Sequence, residues 1–190
     1  MESMAIADRL RAEFPDEILH SYLNQGQAAV VVRSGRIVDI LRWLRTTETI
    51  HMDHLRSLCG VDNARRRGPG LARFEVVYNL YSIALRHEIR VRAEVEDKEP
   101  AIDSVVELWA SANWMERETY DLFGIRFNNH PDLRRVLLPE DWVGHPLRKD
   151  YPLKGKVEWS GMTELLEKTK NLDRFGFKPD GQATPKEDDQ

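Results

Sequence analysis

The chain has 190 residues, a formal net charge of −4 at pH 7, and 41% hydrophobic and 32% charged residues. That length fills one domain, or one domain with an extension, and the acidic balance disfavours nucleic acid as a partner. No apolar run approaches the roughly 20 residues needed to cross a bilayer, and MESMAIADRL lacks the apolar stretch of a secretory signal. Membrane association is therefore expected only through a partner.

In chain order, Ser3 to Phe14 carries Met4, Ile6, Ala7, Leu10 and Phe14 at helical spacing, with Pro15 as the stop. Asp16 to Tyr22 is a short strand candidate, and the β-branched run Ala28 to Val32 is a stronger one. Ile37, Ile40, Leu41 and Leu44 place a helix over Gly35 to Arg45, with Ser34 positioned to cap it. Asp53 to Cys59 is read as a strand leading into a turn. His51 and His54 lie nearby, but no third metal ligand is close in sequence. Cys59 is the only cysteine; it excludes an internal disulfide and a self-contained iron–sulfur cluster. Its setting, LRSLCGV, predicts a buried structural thiol.

Arg65-Arg66-Arg67 beside Gly68-Pro69-Gly70 is read as a solvated loop. Arg73 to Leu80 and Leu85 to Val95 form the clearest hairpin. Phe74, Val76, Tyr78 and Leu80 make one apolar face; Leu85, His87, Ile89, Val91, Ala93 and Val95 make another. His87 falls on that apolar side and is read as a hydrogen-bonded core or edge histidine. Ser104 is placed as the cap of a short helix, Val105 to Ala110. The expected fold is α+β: a mainly antiparallel sheet of four or five strands with helices on one face.

The stretch from Trp114 to Leu153 organises the rest. At about 100° per residue, Trp114, Met115 and Leu122 share an apolar arc, and Glu118 falls inside it. Glu116 and Arg117 fall outside, and Asp121 sits on the border. A carboxylate inside an apolar arc is costly unless paired. Arg134, Arg135 and Arg148, or a cation of another chain, are the candidate partners. Gly124 stops this helix. Beyond it, Pro131, Pro139, Pro146 and Pro152 exclude a long helix or central strand. Yet Leu133, Val136, Leu137, Leu138, Trp142, Val143 and Leu147 are apolar. Two readings stay open for this strap: a loop packed on its own domain, expected to wrap outward, or a docking segment.

The resulting division is an α+β domain over residues 1–125, a proline-rich strap over 126–154 and an extension over 155–190. In the extension, Met162 to Thr169 is a short helix candidate. Phe175 to Lys178 offers an aromatic hook, and Thr184 to Gln190 is polar and acidic, as disordered tails are. Such a tail either lies along a partner or frays. No GxGxxG, P-loop, HExxH or GxSxG occurs. His130 and His145 with Glu118 could form a metal or acid–base site, but no activated nucleophile accompanies them.

Glu116-Arg117-Glu118, Tyr120-Asp121-Leu122-Phe123-Gly124, His130-Pro131, Leu133-Arg134-Arg135, Leu137-Leu138 and Gly144-His145-Pro146-Leu147-Arg148-Lys149-Asp150-Tyr151-Pro152 follow one another in order. This run resembles the signature of the thirty-kilodalton subunit family of respiratory complex I, known as the C subunit in the bacterial NADH–quinone oxidoreductase. The resemblance implies a protein without a cofactor of its own, the iron–sulfur clusters, FMN and quinone belonging to other subunits. It implies a place on the cytoplasmic face of the bacterial membrane. It also implies packing against the forty-nine-kilodalton-type subunit (D), then the cluster-bearing subunits (B and I) and the electron-input module. On that view Glu116, Arg117, Glu118, Asp121, His130, Arg134, Arg135, Trp142, His145, Pro146, Arg148, Lys149 and Asp150 are interface or structural residues rather than catalytic ones. Equivalent subunits of a membrane-bound hydrogenase, a coenzyme F420 dehydrogenase or the photosynthetic NDH complex carry the same implication. A small independent enzyme using His130, His145 and Glu118 is the reading from a different class.

Overall fold

The computed structural model describes residues 3–66, 71–153 and 161–170. Arg67-Gly68-Pro69-Gly70, the Phe175 to Lys178 hook and the Thr184 to Gln190 tail lie outside them.

Five strands form a mixed, mostly antiparallel sheet: β1 (Ile18–Asn24), β2 (Gln27–Arg33), β3 (His54–Asp62), β4 (Phe74–Ser82) and β5 (His87–Val95), in the order β1-β2-β5-β4-β3. The β1–β2 hairpin turns through Gln25 and Gly26, with φ of 49° and 82°. Two left-handed residues in succession match the strand twist, so the register is set locally. The chain then crosses to the far edge and returns by the β3-β4-β5 meander. This leaves β2 and β5 parallel, with Ala29 opposite Arg90, a pairing that strand-by-strand reading did not contain.

Helix α1 (Ser3–Glu13) and helix α2 (Ile37–Thr46) bury Ile6, Ala7, Leu10, Ile37, Ile40, Leu41 and Leu44 against the inward face of the sheet. A 3-10 turn, Ser34–Arg36, precedes α2, and no side chain caps the helix. Ser34 is therefore not the expected cap; the turn carries the chain into α2 instead. Val30, Val32, Phe74, Val76, Tyr78, Leu80, Ile89, Val91, Ala93 and Val95 complete the core. The alternation read from the sequence holds from His87 onward, whereas Leu85 lies in the turn before β5 and is exposed. His87 is buried on that face, and its Nε2–H donates to the Ile50 carbonyl at 2.6 Å.

On the outer face the sheet covers itself. The Arg92 guanidinium pairs with Glu75, which is 1% exposed, and also reaches the Tyr22 hydroxyl. Arg90 donates to Asn79 Oδ1 at 2.7 Å, and Asn79 Nδ2 donates to Ser57. Cys59 belongs to this face and is exposed, contrary to the expected buried thiol. Strand alternation turns its neighbours Leu58 and Gly60 inward and Cys59 outward.

After β5 come β6 (Ala101–Asp103), helix α3 (Ala112–Phe123) and β7 (Arg126–Asn128). β6 and β7 make a two-stranded parallel ribbon. Residues 106–108 form a turn, where a helix over Val105 to Ala110 was expected. Ser104 does accept the Val106 N–H, at 3.3 Å, but its hydroxyl serves Glu116 as well. Helix α4 (Met162–Lys170) matches the predicted short helix.

α3 approaches β3 so closely that only glycine fits between them. A Cβ on Gly60 would lie 2.7 Å and 2.9 Å from ring carbons of Phe123 and 3.0 Å from Thr119 Cγ2. Gly60→Ala is expected to destabilise the fold by about 1–3 kcal/mol through overpacking. Gly35→Ala, where a Cβ meets nothing within 4 Å, should be near neutral. Denaturant midpoints of the two variants make the comparison; equal midpoints would show that α3 moves freely on β3.

Candidate functional site

The site is the junction of α3 with the strap. α3 turns a different face inward from the one expected. Ala112, Glu116 and Thr119 are buried, with Met115, Tyr120 and Phe123 packed partly against the core. Trp114 is 62% exposed, with Arg117 stacked 4.8 Å over its ring, and Glu118 is exposed. Glu118 is thus not buried within its own chain, contrary to its place in the apolar arc. The buried acids are Glu116 and Asp121, each 0% exposed. The three candidate arginines are engaged elsewhere.

Asp121 is the hub. It lies on the flank of α3 away from the sheet, and the strap encloses it. Its Oδ1 accepts from Arg135 Nη1 at 2.6 Å. Its Oδ2 accepts the N–H groups of Val136 (3.0 Å), Leu137 (2.8 Å) and Leu138 (3.0 Å). Burial alone would raise this carboxyl. The Leu138 N–H, the Arg135 guanidinium and the Leu137 and Val136 N–H groups outweigh it and hold Asp121 below the ordinary carboxylate range. Arg135 continues inward, donating through Nη2 to the carbonyls of Trp142 (3.0 Å) and Gly144 (3.1 Å).

The last carbonyls of a helix lack intrahelical partners. Here the Gly144-His145-Pro146-Leu147-Arg148 run supplies them. His145 Nδ1–H donates to Asp121 O at 2.9 Å, and the Leu147 N–H donates to Leu122 O at 3.1 Å. Arg148 donates through Nε to Phe123 O at 2.6 Å and through Nη2 to Gly124 O at 3.4 Å. Burial lowers the His145 pKa; its hydrogen bond to Asp121 O opposes this, and Arg148 and Arg135 add to the lowering. The ring is a neutral Nδ1–H donor, occupied in capping. Pro146 holds the chain between these two contacts. Gly124 ends α3 at φ 69°, which places the strap close above it.

Two further clamps tie the strap to the sheet. Asp62, at the end of β3, accepts the Lys149 N–H at 2.8 Å, and Arg65 donates to Lys149 O at 3.0 Å. Arg73 pairs with Asp150 at 2.8 Å. The guanidinium carbons of Arg73 and Arg148 lie 4.7 Å and 5.0 Å from the Phe74 ring centre. Burial and the neighbouring Arg73 lower the Arg148 pKa. Single-sequence reading missed Asp62, Arg65, Arg73 and Ser104, because their partners are distant in the chain.

At the other end of the strap, Glu116 accepts from Ser104 Oγ (2.6 Å) and the Val105 N–H (2.7 Å). His130 Nε2 lies 4.0 Å from the Glu116 carboxylate and donates to Asn113 O at 3.2 Å. Arg117 donates to the carbonyls of Arg134 and Arg135, while Arg134 pairs with Asp132 on the surface at 2.7 Å. The strap thus folds back on its own domain rather than wrapping outward. His130 and His145 serve different carbonyls, and neither is hydrogen-bonded to Glu118. Among the described residues no group of three or more His, Cys, Asp or Glu is placed to hold a metal ion, His51 and His54 included.

The α+β fold is one found among solved structures. It covers 96% of this chain and 100% of a chain of the archaeal membrane-bound sulfane sulfur reductase, with a TM-score of 0.64 at 20% identity. A trypsin-resistant fragment of Nqo5 matches with a TM-score of 0.62 at 31% identity, over 70% of this chain and all of the fragment. Residues 30–157 match the family described as respiratory-chain NADH dehydrogenase, 30 Kd subunit. This chain belongs to that family. It is 47% identical over 153 residues to the C subunit of the NADH-quinone oxidoreductase of Roseiflexus castenholzii, covering 80% of this chain and 86% of the relative. It is 47% identical over 147 residues to the C subunit of the same oxidoreductase in Geobacter sulfurreducens, covering 77% and 88%.

Proposed function

We propose that this chain is a scaffold subunit of a proton-translocating NADH:quinone oxidoreductase. It carries no cofactor of its own and docks through α3 and the strap to a forty-nine-kilodalton-type partner, close to cluster-bearing subunits, on the cytoplasmic face of the membrane. Family membership supports the type of complex. No helix among the described residues is long and apolar enough to cross a membrane, which fits a peripheral place.

The observation that carries the docking role is the inverted polarity of the strap. Arg135, Arg148 and the neutral His145 ring point inward onto α3. Leu137, Val143 and Leu147 point outward and are 60%, 53% and 43% exposed. An irregular segment exposing apolar side chains on a frame of inward hydrogen bonds is shaped to be covered. Because the frame is set in the free chain, little conformational freedom is lost on docking. Trp114 and Glu118 on the exposed side of α3 extend the same surface.

Affinity purification from native membranes tests the reading. The expected result is co-recovery of the forty-nine-kilodalton-type and cluster-bearing chains. A triple substitution, Leu137→Ser, Val143→Ser and Leu147→Ser, should leave the melting temperature of the isolated chain unchanged and reduce that co-recovery at least tenfold. Recovery of the wild-type chain as a lone monomer would overturn the proposal.

A further inference from the structure

Glu116 differs from the other buried acids. Asp121 has Arg135, Glu75 has Arg92 and Asp62 has Arg73 within 3.6 Å. The nearest cation-forming group to Glu116 among the described residues is His130, at 4.0 Å, and both side chains are fully buried. This imidazole is held as a neutral tautomer. Nε2 carries the proton donated to Asn113 O, while Nδ1 accepts the Asp132 N–H at 3.0 Å.

We propose that Glu116, beside His130, is a buried proton-binding site at the root of the strap, holding one proton on its carboxyl group and weakening the fold when that proton is lost to solvent.

The hydrogen bonds around Glu116 serve both protonation states. As a carboxylate it accepts from Ser104 Oγ–H and the Val105 N–H. As an acid it keeps the Val105 N–H on Oε1 and donates from Oε2 to Ser104 Oγ, whose own hydrogen rotates away. Gaining the proton therefore removes a buried charge without losing a bond. The ionised form instead places an uncompensated charge beside His130.

The other groups facing the site favour the acid form. From β4, the Tyr78 hydroxyl is fully buried without a hydrogen-bond partner, and the Glu116 and Asp103 carboxylates both add to its raised pKa. From β6, Asp103 is itself acidic and accepts from Asn128. Beyond His130, Asp132 and Arg134 neutralise each other at the surface. Burial raises the Glu116 pKa from 4.5 to about 7 against its two hydrogen bonds. The folded chain thus holds this proton more tightly than the unfolded chain. Its contribution to stability is complete below pH 4.5 and lost as pH rises through about 7. Over that window the unfolding constant gains a factor on the order of a hundred.

The test uses the full chain with carboxyl-labelled glutamate, followed by NMR from pH 4 to 9. One glutamate signal should titrate near 7 and be missing from Glu116→Gln. The Val105 amide, which donates to the Glu116 carboxyl group, should shift with the same midpoint. Chemical unfolding at pH 5 and pH 8 should show the hundredfold change in wild type and its loss in E116Q. If E116Q does not fold, the wild-type spectrum decides alone. Absence of any glutamate signal titrating near 7, or a Val105 amide indifferent to pH across that midpoint, overturns the proposal.

Discussion

Asp121→Asn is expected to cost about 3–5 kcal/mol, the loss typical of removing one partner from a buried ion pair. The amide keeps the shape of the carboxylate but offers one acceptor where four hydrogen bonds from Arg135, Val136, Leu137 and Leu138 converge on two oxygens. Whichever way it flips, its NH2 faces another donor. For a chain of this size the thermal midpoint should fall by on the order of 10 °C. Arg134→Ala is the matched control. Arg134 pairs with Asp132 in solvent, and its loss should leave the midpoint in place. A shift under about 2 °C for Asp121→Asn would mean that the strap is held mainly by its apolar contacts. The pH sense follows from the lowered Asp121 pKa. Its stabilisation is present above the ordinary carboxylate range and disappears as pH falls through the depressed value.

Gly124→Ala should be comparably damaging for two separable reasons. The backbone has φ 69°, where an alanine costs about 1–2 kcal/mol. The added Cβ would also meet the His145 ring, 2.5 Å from Nε2, and lie 2.7 Å from Arg148 Nη2. That pushes away the two side chains that cap α3 and adds about 1–3 kcal/mol. Gly124→Asn separates the causes, because asparagine tolerates this conformation but carries the same Cβ. Gly124→Asn should therefore recover only the backbone part and melt between Gly124→Ala and wild type. Restoration of the wild-type melt by asparagine would assign the whole effect to the backbone and none to the cap.

Much of the sheet was legible in the sequence. Phe74, Val76, Tyr78 and Leu80 alternate without interruption, and the stripe of Ile37, Ile40, Leu41 and Leu44 has one period. Such patterns report burial directly. The orientation of α3 was not legible, because the helical wheel treats a carboxylate as a surface group. Glu116 and Asp121 are buried since their donors arrive from Ser104, Val105, Arg135 and the strap backbone. Those partners are invisible to any local window. Cys59 misled for a related reason: its neighbours are apolar, but only alternate ones turn inward. β6 and β7, at three residues each, are too short to carry a period. The strap stood out as apolar and proline-rich. What it clasps emerged only once His145, Leu147 and Arg148 were seen on four consecutive carbonyls.

The parallel seam between β2 and β5 governs the order in which the molecule can assemble. The β1–β2 and β4–β5 hairpins close through short turns, and β3 reaches its neighbour β4 through residues 63–73. The seam brings Ala29 to Arg90, across α2 and two intervening strands, and loop closure on that scale costs chain entropy before any contact returns it. On the ribosome the first hairpin therefore emerges with β2 unpaired on one side. It waits for β5 to be synthesised before its inner edge is covered.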